Sequence, residues 1–205
     1  HMLELGMALR LKGMASADGV ADAAGVSVDE ATAALAAMVE AGHAQDSPRG
    51  FRLTPDGKAR LDELLADERA GLDPAATNAV YDRFCEYNGA FKQLITDWQV
   101  REIDGEQVMN DHTDTAYDAA IIERLGSLHD ATSPVFADAA ALAPRLERYW
   151  QRFEVAIDAA RAGDQTMVAA PLKDSYHTVW FEMHEELILL SGRNRADEAA
   201  AGRGA

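Results

Sequence analysis

One segment near the end of the chain concentrates side chains that can do chemistry. Between residues 174 and 186, spacings of three and seven place Asp174, His177, Phe181, His184 and Glu185 near one face of a predicted helix. Imidazoles and carboxylates bind metals or transfer protons. His177 and His184 stand two helical turns apart, about 10 Å, so a single ion does not readily take both.

A metal site on this segment needs ligands from a second helix. The sequence has neither an HExxH motif nor the paired ExxH motifs of di-iron bundles. We therefore predict no metal and expect these side chains either to line a polar pocket or to form an ordinary hydrogen-bonded surface. A metal site remains an alternative, with partners taken from an earlier predicted helix: His112, Asp114, Asp118 and His129.

Asn88 is the second candidate for ligand chemistry, because it interrupts the apolar stripe of a long predicted helix. A buried amide needs hydrogen-bond partners, so it is either a satisfied core amide or a polar anchor in a pocket. Helical bundles build ligand pockets from such residues. We predict a small-molecule site formed by Asn88, Trp98, Tyr117, His177, Trp180 and His184. The sequence indicates no particular cofactor.

Signatures of catalysis are missing from the sequence. It has no Gly-x-Ser-x-Gly elbow, no phosphate-binding loop and no dinucleotide fingerprint. Cys85, the single cysteine, lies among apolar neighbours, where we expect an inert packed thiol. We predict that the protein is not an enzyme, and catalysis remains an alternative.

Composition and charge limit the partners. The 205 residues are 48% hydrophobic and carry a formal net charge of −16. No apolar run reaches about 18 residues, so we expect no membrane span. One cysteine fits a reducing cytoplasm, where we expect the protein to reside. The acidic balance argues against a strongly basic nucleic-acid-binding face.

The N-terminal third has a helix–turn–helix pattern. A first helix is predicted over residues 2–13, and Ser16 caps a short second helix that ends at Gly25. Ser27 and Glu30 then form a capping box at the start of a third helix, which extends to about residue 41. A short helix, a Gly turn and a Ser-capped helix are typical of this motif.

A small β-hairpin follows the third predicted helix. Two short strands surround the turn at residues 47–50, and Thr54 and Pro55 begin the next helix. We predict a winged-helix domain over residues 1–71, with a boundary at residues 71–74.

The remaining chain is predicted to be an antiparallel helical bundle over residues 75–192, so the fold class is mainly α. We expect a polar loop at 101–112, a helix break at Pro134 and a kink or new helix at Pro171. Residues 193–205 are predicted to be a flexible tail. The predicted helices cover residues 75–100, 113–130, 142–162 and 165–191.

Residues 1 to about 70 resemble winged-helix transcriptional regulators of the MarR and GntR kind, through the capped third helix and the hairpin. The resemblance implies that residues 27–39 enter the major groove, with contacts from Ser27 and Thr32, and that Arg49 and Arg52 on the wing contact the DNA backbone. The sequence departs from the pattern in one respect, since residues 27–39 contain no Lys, Arg, Asn or Gln to read bases.

The C-terminal part has two further similarities. A bundle containing Ala-Arg-Ala-Gly-Asp at 160–164 is similar to the ligand domain of GntR-type regulators of the FCD class, although that family's metal-binding Asp and His residues have no counterparts assigned here. Residues 91–99 and 174–186 are similar to a helical module of actinobacterial proteins related to phosphoenolpyruvate-utilising dikinases. That similarity implies a regulatory or docking role.

These observations predict a ligand-responsive transcriptional regulator. DNA and a small-molecule effector are the expected partners, and we expect a homodimer whose two winged helices meet two half-sites. One alternative is a sensor or adaptor that does not bind DNA and uses the winged helix to dock a protein. Another is an enzyme or metal-binding protein of the bundle type.

Overall fold

The computed structural model describes residues 2–202. It divides into two compact units, one ending at Pro74 and the other beginning at Ala75. The described chain is mainly helical and contains two small two-stranded sheets. His1 and residues 203–205, which fall within the predicted first domain and the predicted tail, lie outside the described residues.

The first unit consists of four helices and a hairpin. The serine caps form as predicted: Ser16 accepts a hydrogen bond from the Gly19 N–H, and Ser27 and Glu30 form a reciprocal capping box. Leu5, Leu9 and Leu61 are among the fully buried side chains of its core. The helices are α1 (Met2–Lys12), α2 (Ala17–Ala24), α3 (Val28–Glu40) and α4 (Pro55–Ala70).

The hairpin of the first unit pairs β1 (Ala44–Gln45) with β2 (Arg52–Leu53) in an antiparallel register. An isolated bridge between Ala15 and Phe51 adds a third backbone segment to it. The end of β2 leads directly into α4, whose cap is Thr54. Gly57 of α4 lies so close to His43 that a Cβ at position 57 would overlap the His43 carbonyl oxygen.

The second unit is built from longer helices around an aromatic core. Trp180, Tyr81, Tyr149, Tyr176, Phe84 and Phe153 are its largest fully buried side chains. Its elements are α5 (Pro74–Gln99), β3 (Val100–Ile103), β4 (Glu106–Met109), α6 (Thr115–Leu142), α7 (Glu147–Arg161), α8 (Thr166–Ala169), α9 (Tyr176–Leu190) and α10 (Arg195–Ala200).

The predicted polar loop at 101–112 is instead mostly a β-hairpin. β3 and β4 pair over four residues each, and the turn between them is Asp104-Gly105. Both turn residues have positive φ, 54° and 82°. Asp-Gly favours this tight turn because Gly has no Cβ and Asp tolerates the left-handed region. The prediction missed the hairpin because its strands carry many charged residues.

Pro134 does not break its helix, contrary to prediction. α6 continues through it to Leu142. A proline inside a helix removes one backbone hydrogen bond, and that cost is offset where the following turns pack into a core. Val135, Phe136 and Ala139 are all buried. α7 accordingly begins at Glu147, after a 3-10 turn at Pro144–Leu146, later than the predicted residue 142.

The last predicted helix is interrupted. A short α8 is followed by α9, which begins after Pro171 at the N-cap Ser175. The predicted flexible tail also differs from the structure, because Asn194 caps α10 and Glu198 is buried. Glu198 accepts a hydrogen bond from the Tyr81 hydroxyl at 2.6 Å, which holds α10 against α5. Over residues 2–202, no helix is both long and apolar enough to cross a membrane.

Candidate functional site

A cavity of about 400 Å³ lies between α5 and α9 in the second unit. The two helices supply its walls from residues about one turn apart on each. Three of the six predicted ligand residues, Asn88, His177 and Trp180, line it. The structure adds Phe91, Lys92 and Phe181, which the sequence analysis did not assign to a site.

The floor of this cavity is aromatic. The Trp180 ring stacks on Phe91 at 4.3 Å between centroids with an interplanar angle of 20°, and on Phe84 at 4.8 Å. The Trp180 indole N–H donates to Oδ1 of Asn88 at 3.0 Å. Asn88 is therefore both a satisfied core amide and a cavity residue. Its amide nitrogen keeps two N–H groups that this hydrogen bond does not use.

The cavity has a cationic edge. Lys92 is the one charged side chain among the nine residues that line it. Burial lowers the pKa of His177, so its imidazole is neutral at neutral pH. A neutral imidazole offers one donor and one acceptor. The arrangement provides a flat apolar surface, a few hydrogen-bonding groups and one positive charge.

Trp98 lies at a different cavity of about 340 Å³ in the same unit, which also includes Gln99 of the first cavity. His112 stacks on Trp98 at 4.5 Å and approaches the buried carboxylate of Asp118 through Nδ1 at 3.0 Å. Asn110 and Gln165 also donate to Asp118, at 2.8 and 3.0 Å. These contacts join the base of the β3–β4 hairpin to α6 and to the segment before α8.

Tyr117 and His184 do not line the cavity between α5 and α9. The Tyr117 hydroxyl donates to the Asp97 carbonyl at 2.8 Å, which ties α6 to α5. His184 is fully buried against Phe84 and Tyr81, with ring centroids at 5.1 and 6.1 Å. Helical spacing predicts that both side chains point inward. Most inward-facing side chains of a helix pack in the core, however, and do not line a cavity.

His184 has an unusual environment for an imidazole. Within residues 2–202, neither of its ring nitrogens has a hydrogen-bond partner. Burial lowers its pKa from 6.5 to about 4, and the charges of Arg195 and Lys92 act in the same direction. His184 is therefore a neutral core residue at physiological pH.

The acidic residues of the 174–186 segment bind arginines. Arg152 of α7 pairs with Asp174 at 3.0 Å and with Glu182 at 2.6 Å. Glu185 pairs with Arg195. Across residues 2–202, no three His, Cys, Asp or Glu side chains are grouped closely enough to hold a metal ion.

A buried ion-pair network beside this segment was missed by the sequence analysis. The fully buried carboxylate of Glu186 contacts Arg145 at 2.5 Å and Arg148 at 3.1 Å, and it accepts a hydrogen bond from the Tyr149 hydroxyl at 3.0 Å. Burial and the Glu186 charge raise the pKa of Tyr149. The signal in the sequence was the spacing of Arg145, Arg148 and Arg152, which repeats along one helical face.

The predicted DNA-binding residues lie in the first unit. Ser27 uses its hydroxyl in the capping box with Glu30, while Thr32 is exposed on α3. Arg49 is exposed in the turn between β1 and β2. Arg52 donates to Oε1 of Gln45 across the hairpin, at 2.8 and 3.2 Å. The hairpin therefore presents both arginines, and the hydroxyl of Ser27 is already engaged.

Comparisons with known protein families, with curated proteins and with solved structures find no match to this chain.

Proposed function

We propose that the protein is a ligand-responsive transcriptional regulator, in which the first unit is a winged helix that contacts DNA and the second is a helical bundle that binds a small molecule. The observation that carries the proposal is the order of elements in the first unit. A Gly25 turn joins α2 to the capped α3, and a hairpin bearing Arg49 and Arg52 follows. The Ala15–Phe51 bridge supports a three-segment wing.

The cavity between α5 and α9 supports the ligand-binding part of the proposal. Apolar cavities with a few convergent polar groups are typical of small-molecule sites. Stacked Trp180 and Phe91 suit a flat apolar group, and Lys92 suits a carboxylate or another anion. We propose that the protein acts as a homodimer and that ligand binding alters its affinity for two DNA half-sites.

DNA binding is tested by measuring the affinity of the purified protein for DNA from its own upstream region and for a random duplex, over a series of salt concentrations. A regulator binds the upstream DNA more tightly than the random duplex, with a clear salt dependence. Changing Arg49→Ala together with Arg52→Ala weakens this binding if the wing contacts the backbone. Absence of binding at low salt, where electrostatic attraction is strongest, contradicts DNA binding.

Ligand binding is tested with 2-naphthoate as the probe, followed by quenching of tryptophan fluorescence. We expect Lys92→Gln to lower the affinity for 2-naphthoate at least threefold. The affinity for the uncharged 2-naphthylmethanol should not change. Lys173→Gln removes the same charge from a surface lysine that pairs with Asp164 outside the cavity, and it serves as the matched control. Equal effects of the two variants would contradict the assignment of the cavity.

The surface of α3 favours protein docking as a second candidate function. Its exposed residues include Val28 and Val39, three alanines at 33, 36 and 37, three carboxylates at 29, 30 and 40, and no cation. A surface that combines small apolar side chains with carboxylates suits a protein partner better than a phosphate backbone. The salt series separates the two functions, because an adaptor does not bind either duplex.

A further inference from the structure

A groove of about 460 Å³ in the first unit gathers cations from three separate elements. Arg10 comes from the end of α1, Arg52 from β2 and Lys58 from the first turns of α4. Gln45 and Thr54 also line it. Arg10 and Lys58 are 48 positions apart, so no local pattern in the sequence indicates that these three side chains share one groove.

The charge of this groove differs in sign from that of its unit. None of its nine lining residues is acidic, although residues 1–70 hold seven Lys or Arg and twelve Asp or Glu. Arg10 pairs with the exposed Asp62 at 2.6 Å, outside the lining set. Arg52 contacts the neutral amide of Gln45, and Lys58 has no ion pair within the described part of the chain.

The groove and α3 present opposite electrostatics. No residue of α3 lines the groove. Within Val28–Glu40 the charged residues are Asp29, Glu30 and Glu40, all exposed, and there is no Lys or Arg. Carboxylates at those positions repel DNA phosphates, whereas guanidinium and ammonium groups attract them.

We propose that this groove, and not α3, is the surface of the first unit that contacts DNA phosphates. The inference rests on the proposed function, because it names the surface through which that function would bind DNA. Phosphates lie against Arg10, Arg52 and Lys58, and the positive end of the α4 helix dipole strengthens the attraction. Binding is then dominated by backbone contacts and depends steeply on salt.

The test compares two double variants with the same loss of charge. Arg10→Gln with Lys58→Gln removes two groove cations, and Arg60→Gln with Arg69→Gln removes two cations of α4 that do not line the groove. Binding to a fluorescein-labelled 30-base-pair duplex is measured by anisotropy from 50 to 200 mM NaCl. Lys58→Gln alone is a further variant, which changes an exposed side chain and is not expected to disturb folding.

We expect the groove variant to weaken binding at 50 mM NaCl at least tenfold and to reduce the slope of log affinity against log salt by about 1.8, or 0.9 for each lost phosphate contact. The Arg60/Arg69 control keeps the wild-type slope. Equal weakening by both variants overturns the proposal and leaves DNA binding in place. Absence of wild-type binding at 50 mM overturns the proposed function and this inference together.

A competition experiment distinguishes DNA from a free phosphate compound. Sodium pyrophosphate is added to the wild-type complex and compared with NaCl at equal ionic strength. If the DNA backbone occupies the groove, pyrophosphate displaces the duplex from the wild-type protein more effectively than NaCl does, and the Arg10/Lys58 variant loses that excess. Pyrophosphate that binds the free protein without displacing the duplex beyond the effect of NaCl assigns the groove to a free phosphate ligand and overturns the DNA assignment.

Discussion

The indole nitrogen of Trp180 donates a hydrogen bond of 3.0 Å to Oδ1 of Asn88, which lies 92 residues earlier in the chain. Both side chains are buried, and together they fix α9 against α5 at the edge of the cavity. The buried amide of Asn88 therefore fixes the position of the Trp180 ring at the cavity.

Replacing Asn88→Leu should lower the free energy of unfolding by about 2 kcal/mol, because it leaves the buried Trp180 N–H without an acceptor. Adding Trp180→Phe to that variant should cost less than Trp180→Phe costs alone. Urea unfolding followed by tryptophan fluorescence measures the second unit selectively, since all three tryptophans lie there. The double variant retains two of them, and strictly additive effects would contradict this coupling.

His184 should make the stability of the second unit depend on pH. Burial lowers its pKa from 6.5 to about 4, so between these values the unfolded chain binds a proton that the folded chain does not. The free energy of unfolding should therefore fall as the pH drops through this window, by up to about 3 kcal/mol at pH 4.

The His184→Phe variant isolates this contribution, since a phenyl ring suits the contacts with Phe84 and Tyr81. Burial also lowers the pKa of His129 and His177, so the variant should keep part of the wild-type pH dependence. Arg195, Lys92 and Glu198 are the charges that act on His184, and they remain in the variant. Parallel profiles for variant and wild type between pH 7 and 4 would show that His184 is not responsible.

Glu186→Leu should destabilise the second unit by about 4 kcal/mol. The substitution leaves the buried guanidinium groups of Arg145 and Arg148 without their shared carboxylate, and breaking a buried pair from one side costs several kcal/mol. Glu154→Leu removes a carboxylate from an exposed position on α7 and should change stability by less than about 0.5 kcal/mol. Thermal unfolding at pH 7 compares them, and similar losses would contradict the role of the network.

Two glycines at equivalent helix positions should respond oppositely to alanine. Gly57 and Gly19 are each the third residue of a helix and each donate to the hydroxyl of their N-cap. A Cβ at Gly57 overlaps the His43 carbonyl, whereas one at Gly19 makes only ordinary contacts. We expect Gly57→Ala to cost about 2 kcal/mol or more and Gly19→Ala to stabilise by up to about 1 kcal/mol.

The first unit contains no tryptophan or tyrosine, so hydrogen exchange of its peptides is the suitable measurement for these two variants. Faster exchange across α1 and α4 in Gly57→Ala, with unchanged or slower exchange in Gly19→Ala, is the expected pattern. Similar exchange in both variants would show that the close approach of α4 to His43 does not contribute to the stability of the first unit.

The elements that the sequence predicted well are those with strong local signals. Ser27 and Glu30 form their capping box because both partners lie within one turn. Asn88 of α5 and Trp180 of α9 are buried because helical periodicity determines which face of each helix points inward. The Asp104-Gly105 hairpin also had a local signal, but the charged strands around it concealed it. Pro134 was wrongly predicted to break its helix. The energetic cost of the proline is outweighed by packing of the following turns against residues that are distant in the sequence.

Periodicity does not show which inward residues meet at a cavity. It placed His177 and His184 on similar faces, and only tertiary packing separates the cavity-lining His177 from the core residue His184. The groove formed by Arg10, Arg52 and Lys58 was unpredictable for the same reason, since three elements must fold together before their charges converge.

The hydrogen bond between Tyr81 and Glu198 joins residues 117 positions apart, so it can form only after residue 198 has been synthesised. Domains generally fold as they emerge, and the first unit has all its described elements by residue 70. The second unit differs, because α5 is made first but acquires its partners Trp180 and Glu198 only when α9 and α10 appear. The part of its apolar stripe that Trp180 covers, which includes Phe91, therefore stays exposed while about ninety residues are synthesised. Chaperones have most reason to bind the chain in that interval.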